Sequence, residues 1–246
     1  MAGWLIMATC LVSGRQFVKF VQIREIRSNL KLIIMKFILP IVLFFCCLEL
    51  HSQGRWSVEL MGAGVYNVPM PLTIHQQGQP DIQLTARYRT EPLVLPVYYD
   101  ARVSRWEEGR SWELEFTHHK LYLNNTTGEV QKFNISHGFN LLMVNRGFDR
   151  QEFRYRGGAG VVIAHPESQI RGLAFGSSTD DNDGGYYLTG PVIQASINRP
   201  IDLGEHFFIN AEARVTFAYA SVKVARGNAD VYSLVFHLML GMGWGW

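Results

Sequence analysis

From Val231 to Trp246 the chain alternates. Tyr232, Leu234, Phe236, Leu238, Leu240, Met242, Trp244 and Trp246 are large and apolar, while Ser233, Val235, His237, Met239, Gly241, Gly243 and Gly245 are for the most part small or polar. A period of two predicts a strand with two unlike faces. One face is continuous hydrocarbon ending in two Trp; the other is too slight to fill the core of a soluble sandwich. An aromatic belt outside and a narrow inner face suit the closing strand of a transmembrane β-barrel.

The same period recurs upstream. Trp56 to Val68 reads as a first strand, with Val58, Leu60, Gly62, Gly64 and Tyr66 on one face and Ser57, Glu59, Met61 and Ala63 on the other. Pro69 and Pro71 are expected to end it, because proline cannot donate to a ladder. Residues 72–93 form a polar excursion in which Ile82, Leu84, Ala86 and Tyr88 alternate with Gln83, Thr85, Arg87 and Arg89, the pattern of a hairpin arm. Val97 to Trp106 is a second strand, with Asp100, Arg102 and Ser104 inward. Trp112 to Tyr122 is a third, with Glu113, Glu115 and Thr117 inward. For the fourth, Phe133 to Asn145, the pattern places Phe133, Ile135, Phe139, Leu141 and Met143 outside and Asn134, Ser136, Gly138 and Asn140 inside. Strands over 153–163, Tyr186 to Asn198 and 207–219 follow, and the opening stretch is the eighth.

The connectors alternate between long (72–93, 124–131, 165–185, 223–230) and short (107–110, 147–151, 199–205). Long outer loops and short periplasmic turns define an all-β, eight-stranded antiparallel up-and-down barrel of the outer-membrane type. Eight strands enclose only enough room for side chains, so no pore for large solutes is expected. A soluble barrel of lipocalin type would reverse the faces. The inward set is Glu59, Asp100, Arg102, Glu113, Glu115, Arg154, Arg156, Glu212, Arg214 and His237. In a lipid-facing barrel these would pair as an ionic plug, because isolated buried charge is costly.

The N-terminus changes the composition. Lys36, the apolar run Phe37 to Leu48 and Ser52 read as a signal peptide over 35–52. Residues 1–34 carry no clear element and read as an extension from a start placed too far upstream, which leaves 53–246 as the barrel. Six of the 23 Lys and Arg and two of the 21 Asp and Glu precede Gln53, leaving 17 basic against 19 acidic residues. That balance offers no basic footprint for nucleic acid. Cys10, Cys46 and Cys47 all fall in the removed part, so neither a disulfide framework nor a thiolate metal site is expected.

Chemistry is expected at the outer rim. The third strand ends there with His118, His119, Lys120 and Tyr122, the fourth begins with Lys132 and Asn134, and the fifth leads to His165-Pro166-Glu167. Nearby loops add His75, Arg87, Arg89, Asp180, Asp181 and Asp183. Imidazoles, carboxylates and amines at one level can bind a divalent cation or perform acid–base work. They would do so at the height of lipopolysaccharide phosphates and sugars. The bland alternative is a rim that only contacts lipid phosphates and water. His137 falls mid-strand on the apparent lipid face, unless a bulge turns it inward.

Glu115-Phe116-Thr117-His118-His119-Lys120-Leu121-Tyr122, Ser136-His137-Gly138-Phe139-Asn140-Leu141-Leu142, Gly158-Ala159-Gly160-Val161 with His165-Pro166-Glu167, and Gly190-Pro191 with Gln194 form a set. Over about residues 111–246 the chain resembles a family of outer-membrane barrels that includes lipid A oxidase, among the small OmpX/OmpW-like barrels. The resemblance implies oxidation of the proximal glucosamine of lipid A to an aminogluconate, using dioxygen. It also implies a site built on His118, Lys120 and His165, with Tyr122, Lys132, Arg87 and Arg89 as substrate contacts. The family's motif often has an acid after its first His, where this chain has His119, which bears on any ion site. A monomer integral to the bacterial outer membrane is expected, with lipopolysaccharide as its partner. The competing reading is a structural or surface-interaction barrel without turnover.

Overall fold

In the computed structural model the described residues are 7–12, 15–20, 54–176 and 185–246. Met7–Val12 pairs antiparallel with Arg15–Phe20. The pattern marks no element there, although both segments are short and apolar enough to pair. The predicted signal peptide at 35–52 lies outside the described residues, as do Asp180, Asp181 and Asp183.

From Gly54 onward, considered by itself, the chain forms a ring of eight strands. They are β1 (Arg55–Val68), β2 (Tyr99–Glu107), β3 (Arg110–Leu123) and β4 (Val130–Arg150), then β5 (Phe153–Ala164), β6 (Tyr187–Asp202), β7 (Phe207–Val224) and β8 (Gly227–Gly245). Each pairs antiparallel with the next, and β8 closes on β1 through pairs such as Leu240 with Gly62 and Trp244 with Val58. Closure leaves no open edge in the ring, which a wall in hydrocarbon requires.

The outward face is apolar from one aromatic rim to the other. Trp112, Phe148, Phe153 and Trp244 are exposed at the end with the short turns, and Tyr66, Tyr99, Tyr186 and Tyr232 at the other. Between them Leu60, Leu114, Val144, Ile193, Leu238 and Leu240 stand exposed, Leu238 at 73%. Hydrophobics this exposed over the whole circumference would aggregate in water; they mark the lipid contact. This reverses the soluble-barrel arrangement.

Inside, the lower half is ionic. Arg102 reaches Glu59 at 3.0 Å, Glu115 at 2.8 Å and Glu212 at 3.0 Å, and Arg156 holds Glu113 at 2.9 Å. Arg214 reaches Glu115 at 2.6 Å, Asp100 at 2.9 Å and Glu212 at 2.8 Å. Carboxylates outnumber guanidinium groups in this layer, and side-chain amides make up the donors: Asn210 gives Nδ2–H to Glu59 and Asn145 to Glu115. Arg154, expected among them, lies lower and bonds Asp149. Above this layer Tyr98, His119 and His237 meet in the bore, with Tyr98 Oη 3.1 Å from His237 Nδ1.

Higher still the interior becomes apolar. Leu72, Ile74, Leu121, Phe133, Ile135, Phe139, Leu141, Val162, Ile170, Val222 and Val231 form one buried cluster. This corrects the expected faces of β4: Phe133, Ile135, Phe139, Leu141 and Met143 point inward, while Leu142 and Val144 face lipid. The register requires it, since Thr117, Glu115 and Glu113 stand opposite Leu141, Met143 and Asn145. The physical reason is height. Beyond the bilayer, at Phe133 and Ile135, the wall meets water and folds like a soluble barrel with hydrocarbon inside; lower down, the register with the inward Thr117 and Glu115 sets Leu141 and Met143 inward.

The wall extends because two expected breaks are absent. Pro69 does not end the first strand; Met70–Gln76 continues along β8, pairing Leu72 with Val231 and Gln76 with Gly227. Between Val68–Leu234 and Leu72–Val231 the proline side has one extra residue, a bulge that needs no N–H. Ile82–Ala86 pairs back on this extension, and Tyr88–Arg89 docks on β3. The expected loop 223–230 is likewise a tight turn at Ala225–Arg226 between two long strands.

Candidate functional site

β4 carries an insertion where its neighbours do not. On one side His119 faces Phe139 and Leu121 faces Ile135; on the other Ala164 faces Phe139 and Glu167 faces Asn134. Each neighbour passes fewer residues than β4 over the same span, so Ser136-His137-Gly138 bulges from the wall. Gly138 makes this possible at φ +142°, where a Cβ would lie 2.5 Å from the Asn140 amide. A glycine inside a strand pattern is a bulge signal legible in sequence.

The bulge turns polar groups onto the exterior face at the outer rim. His137 Nε2 lies 2.9 Å from Glu167 Oε1, and the Lys132 ammonium donates to Glu167 Oε2 at 2.7 Å. Ser136 Oγ donates to the same carboxylate at 3.2 Å, and Tyr186 Oη to the His137 carbonyl at 2.9 Å. The His165 ring packs 5.0 Å from that of His137 and 5.3 Å from that of Tyr186. Burial pushes the Glu167 carboxyl up, but the hydrogen bond and charge of Lys132, with His137 and Ser136, hold it below the usual carboxylate range. Burial and the neighbouring His137 hold His165 below the usual histidine range.

His118 sits on the same exterior face. Its ring stacks on Tyr99 at 5.4 Å and its Nδ1–H donates to Asn140 Oδ1 at 2.7 Å. That hydrogen bond fixes the tautomer and leaves Nε2 as a bare acceptor, buried without a partner. His165 Nδ1 is likewise buried without a partner. The arrangement offers two unengaged imidazole nitrogens beside a clamped carboxylate.

Of the expected residues, His118 and His165 belong to this rim, and Lys132 joins them through Glu167. Lys120 does not present its amine there: Nζ donates to the Val94 carbonyl at 2.7 Å and pins the segment before β2. Tyr122 lies under the guanidinium of Arg89, whose centre is 5.3 Å from the ring, while Arg89 itself bonds Glu91 and Asn124. The Arg87 side chain is exposed, and its backbone N–H donates to Asn125. His119 points into the bore, away from the site. Glu167, named with His165 at the rim by sequence, carries the geometry together with Asn140 and Ser136, which the reversed faces of β4 hid.

The residues present do not fit a divalent-cation cage. Among the described residues no group of three or more His, Cys, Asp or Glu side chains converges on one point, and Glu167 is already engaged by Lys132, His137 and Ser136.

No family model matches the chain. No curated protein matches it either. Among solved structures it is similar to Ail, the attachment invasion locus protein of Yersinia pestis, at 10% identity, covering 79% of this chain and 100% of that one with a TM-score of 0.39. It is similar to the outer membrane protein OprG from Pseudomonas aeruginosa at 12% identity, 80% and 97% coverage and a TM-score of 0.43. It is also similar to Neisserial surface protein A at 11% identity, 78% and 99% coverage and a TM-score of 0.37. The chain's own faces carry its assignment: a closed antiparallel ring, a lipid belt between aromatic rims and a charged, sealed bore make it an integral barrel of the bacterial outer membrane.

Proposed function

We propose that the barrel modifies the lipid A part of lipopolysaccharide at its outer rim. The observation that carries this reading is His118: an imidazole held by Asn140, its Nε2 unengaged, on the exterior face beside Tyr99. A reactive group that faces sideways into the outer leaflet, above a bore sealed by hydrocarbon, suits a lipid substrate with a polar head. Lys132 and the exposed Arg87 and Arg89 supply charge at the height of sugar phosphates.

The resemblance over residues 111–246 supports oxidation as the reaction. The C1–H and O–H bonds at a free anomeric hydroxyl of the proximal glucosamine would break, two electrons and two protons passing to dioxygen to give hydrogen peroxide and a lactone. Water opens the lactone to an aminogluconate one oxygen heavier. In this reading His118 Nε2 takes the proton of the anomeric hydroxyl, Asn140 stabilises the resulting imidazolium through Nδ1–H, and the Glu167–His137–Lys132 group orients the sugar. The experiment is mass spectrometry of lipid A from cells with the wild-type gene, a deletion and His118→Ala. A species heavier by one oxygen atom should be present only with the wild-type gene; identical lipid A in all three strains would overturn the reading.

A non-enzymatic surface-interaction barrel is the second reading. What favours it is that Lys132, His137 and Ser136 are all satisfied by Glu167, and Arg89 by Glu91 and Asn124. Such a self-contained rim needs no substrate.

A further inference from the structure

Two cavities meet at the end of the barrel opposite His118. One, of about 410 Å³, lies between the turn joining β4 to β5 and the end of β6 at 199–202, and is lined by Asp149, Glu152, Arg154, Arg199 and Asp202. The other, of about 430 Å³, is a trough on the lipid face lined by Ile197, Ala211, Ala213, Leu238 and Leu240. Phe153 and Arg199 line both, so the polar pocket opens into the apolar trough.

The register explains the trough. Ile197 stands beside Ala213, which stands beside Leu238; one pair lower, Arg199 stands beside Ala211 and Ala211 beside Leu240. Two alanines on β7 therefore form a floor between larger walls on β6 and β8. The pocket is charged in both senses. Arg199 holds Glu152 at 2.6 Å and Arg154 holds Asp149 at 3.0 Å. The Arg154 guanidinium is packed 4.7 Å over the Trp106 ring with its Nη1 buried, whereas Asp202 is exposed and makes no ion pair among the described residues.

We propose that this is a binding site for a zwitterionic phospholipid of the inner leaflet. The phosphate takes the exposed Arg199, the primary ammonium takes Asp202, and one acyl chain lies on Ala211 and Ala213. Three carboxylates against two guanidinium groups line the pocket. A headgroup that brings only negative charge would add to that excess, whereas one with its own ammonium offsets it. The site is independent of the rim chemistry and faces the other leaflet.

The test uses the intact barrel in mild detergent, with folding checked by heat-modifiable gel mobility. Phosphatidylethanolamine and phosphatidylglycerol of matched chains are titrated separately, and bound lipid is read by native mass spectrometry. Wild type should retain one phosphatidylethanolamine on the order of tenfold more tightly than phosphatidylglycerol. Asp202→Asn should erase that preference while both lipids still bind. Ala211→Leu, which fills the trough from a lipid-facing position, should weaken both lipids alike. Equal retention of the two lipids by wild type would overturn the proposal, as would a preference that survives Asp202→Asn or binding unchanged by Ala211→Leu.

Discussion

His137 Nε2 and Glu167 Oε1 lie 2.9 Å apart across the β4 bulge, and Lys132 reaches the other oxygen of the same carboxylate at 2.7 Å. One carboxylate thus holds a protruding imidazole, an amine and the Ser136 hydroxyl. Glu167→Gln should release all three without unfolding the barrel, because the exposed part of the clamp contributes about 1 kcal/mol or less. Lipid A modification should fall by at least tenfold, while the thermal midpoint in detergent moves little. Unchanged modification by the Gln variant would remove Glu167 from the site.

The same clamp sets a pH dependence. The folded-state pKa of Glu167 is depressed, so its contribution is complete above the ordinary carboxylate value and is lost as pH falls through the lowered one. Amide protection over 134–138, relative to the intrinsic exchange rate at each pH, should hold from neutral pH to about pH 4 and fall below it. Glu167→Gln should exchange fast at every pH.

Gly138 tests the bulge itself. Its φ of +142° strains any side chain, and a Cβ would meet the Asn140 amide at 2.5 Å. Gly138→Ala should cost about 1–3 kcal/mol locally and push Asn140 off His118. The His118 imidazole resonances, followed by NMR in detergent, should shift as strongly in Gly138→Ala as in Asn140→Ala. Resonances like those of wild type in the Gly138 variant would show that the bulge does not position this histidine.

Much of the barrel was legible because membrane strands repeat one rule: Leu238 and Leu240 outward, His237 and Met239 inward. The rule failed on β4, where Phe133 and Ile135 read as lipid-facing. Period two reports that a strand has two faces, not which face meets lipid, and above the bilayer the assignment reverses. The same error placed Asn140 and Ser136 inside, away from His118. His118, His165 and Lys132 were legible as rim residues from their distance along the strands. Lys120 was misread because Val94, its partner, arrives from a segment that no local pattern places. Pro69 misled because a bulge, invisible in composition, lets the strand run through it.

A second titratable contact holds the hairpin arm. His75 Nδ1 lies 2.9 Å from Asp81 and Nε2 3.3 Å from Asp230, and the Asp81 hydrogen bond leads in raising the imidazole above its ordinary value, with Asp230 adding. A raised pKa means the contact is fully present below the ordinary histidine value and is lost as pH rises through the raised one. Amide protection over 72–86, measured relative to the intrinsic exchange rate at each pH, should therefore be higher at pH 6 than at pH 8. His75→Gln should remove that difference; a pH response that persists in the variant would place the switch elsewhere.

Arg102 is the test of the plug. Its guanidinium contacts Glu59, Glu115 and Glu212 with no exposed side-chain surface. Arg102→Met keeps much of the volume but leaves three carboxylates facing one another with Arg156 and Arg214 to share. Breaking a buried network from one side costs about 3–5 kcal/mol, so the urea midpoint, followed by Trp fluorescence in lipid vesicles, should fall clearly. The double variant Arg102→Met with Glu212→Gln removes a carboxylate as well and should recover part of the loss, since the cost lies in uncompensated charge and not in the missing guanidinium alone. If the double variant is less stable than the single one by the full cost of a second deletion, the two residues are not coupled, and the plug is a set of independent pairs.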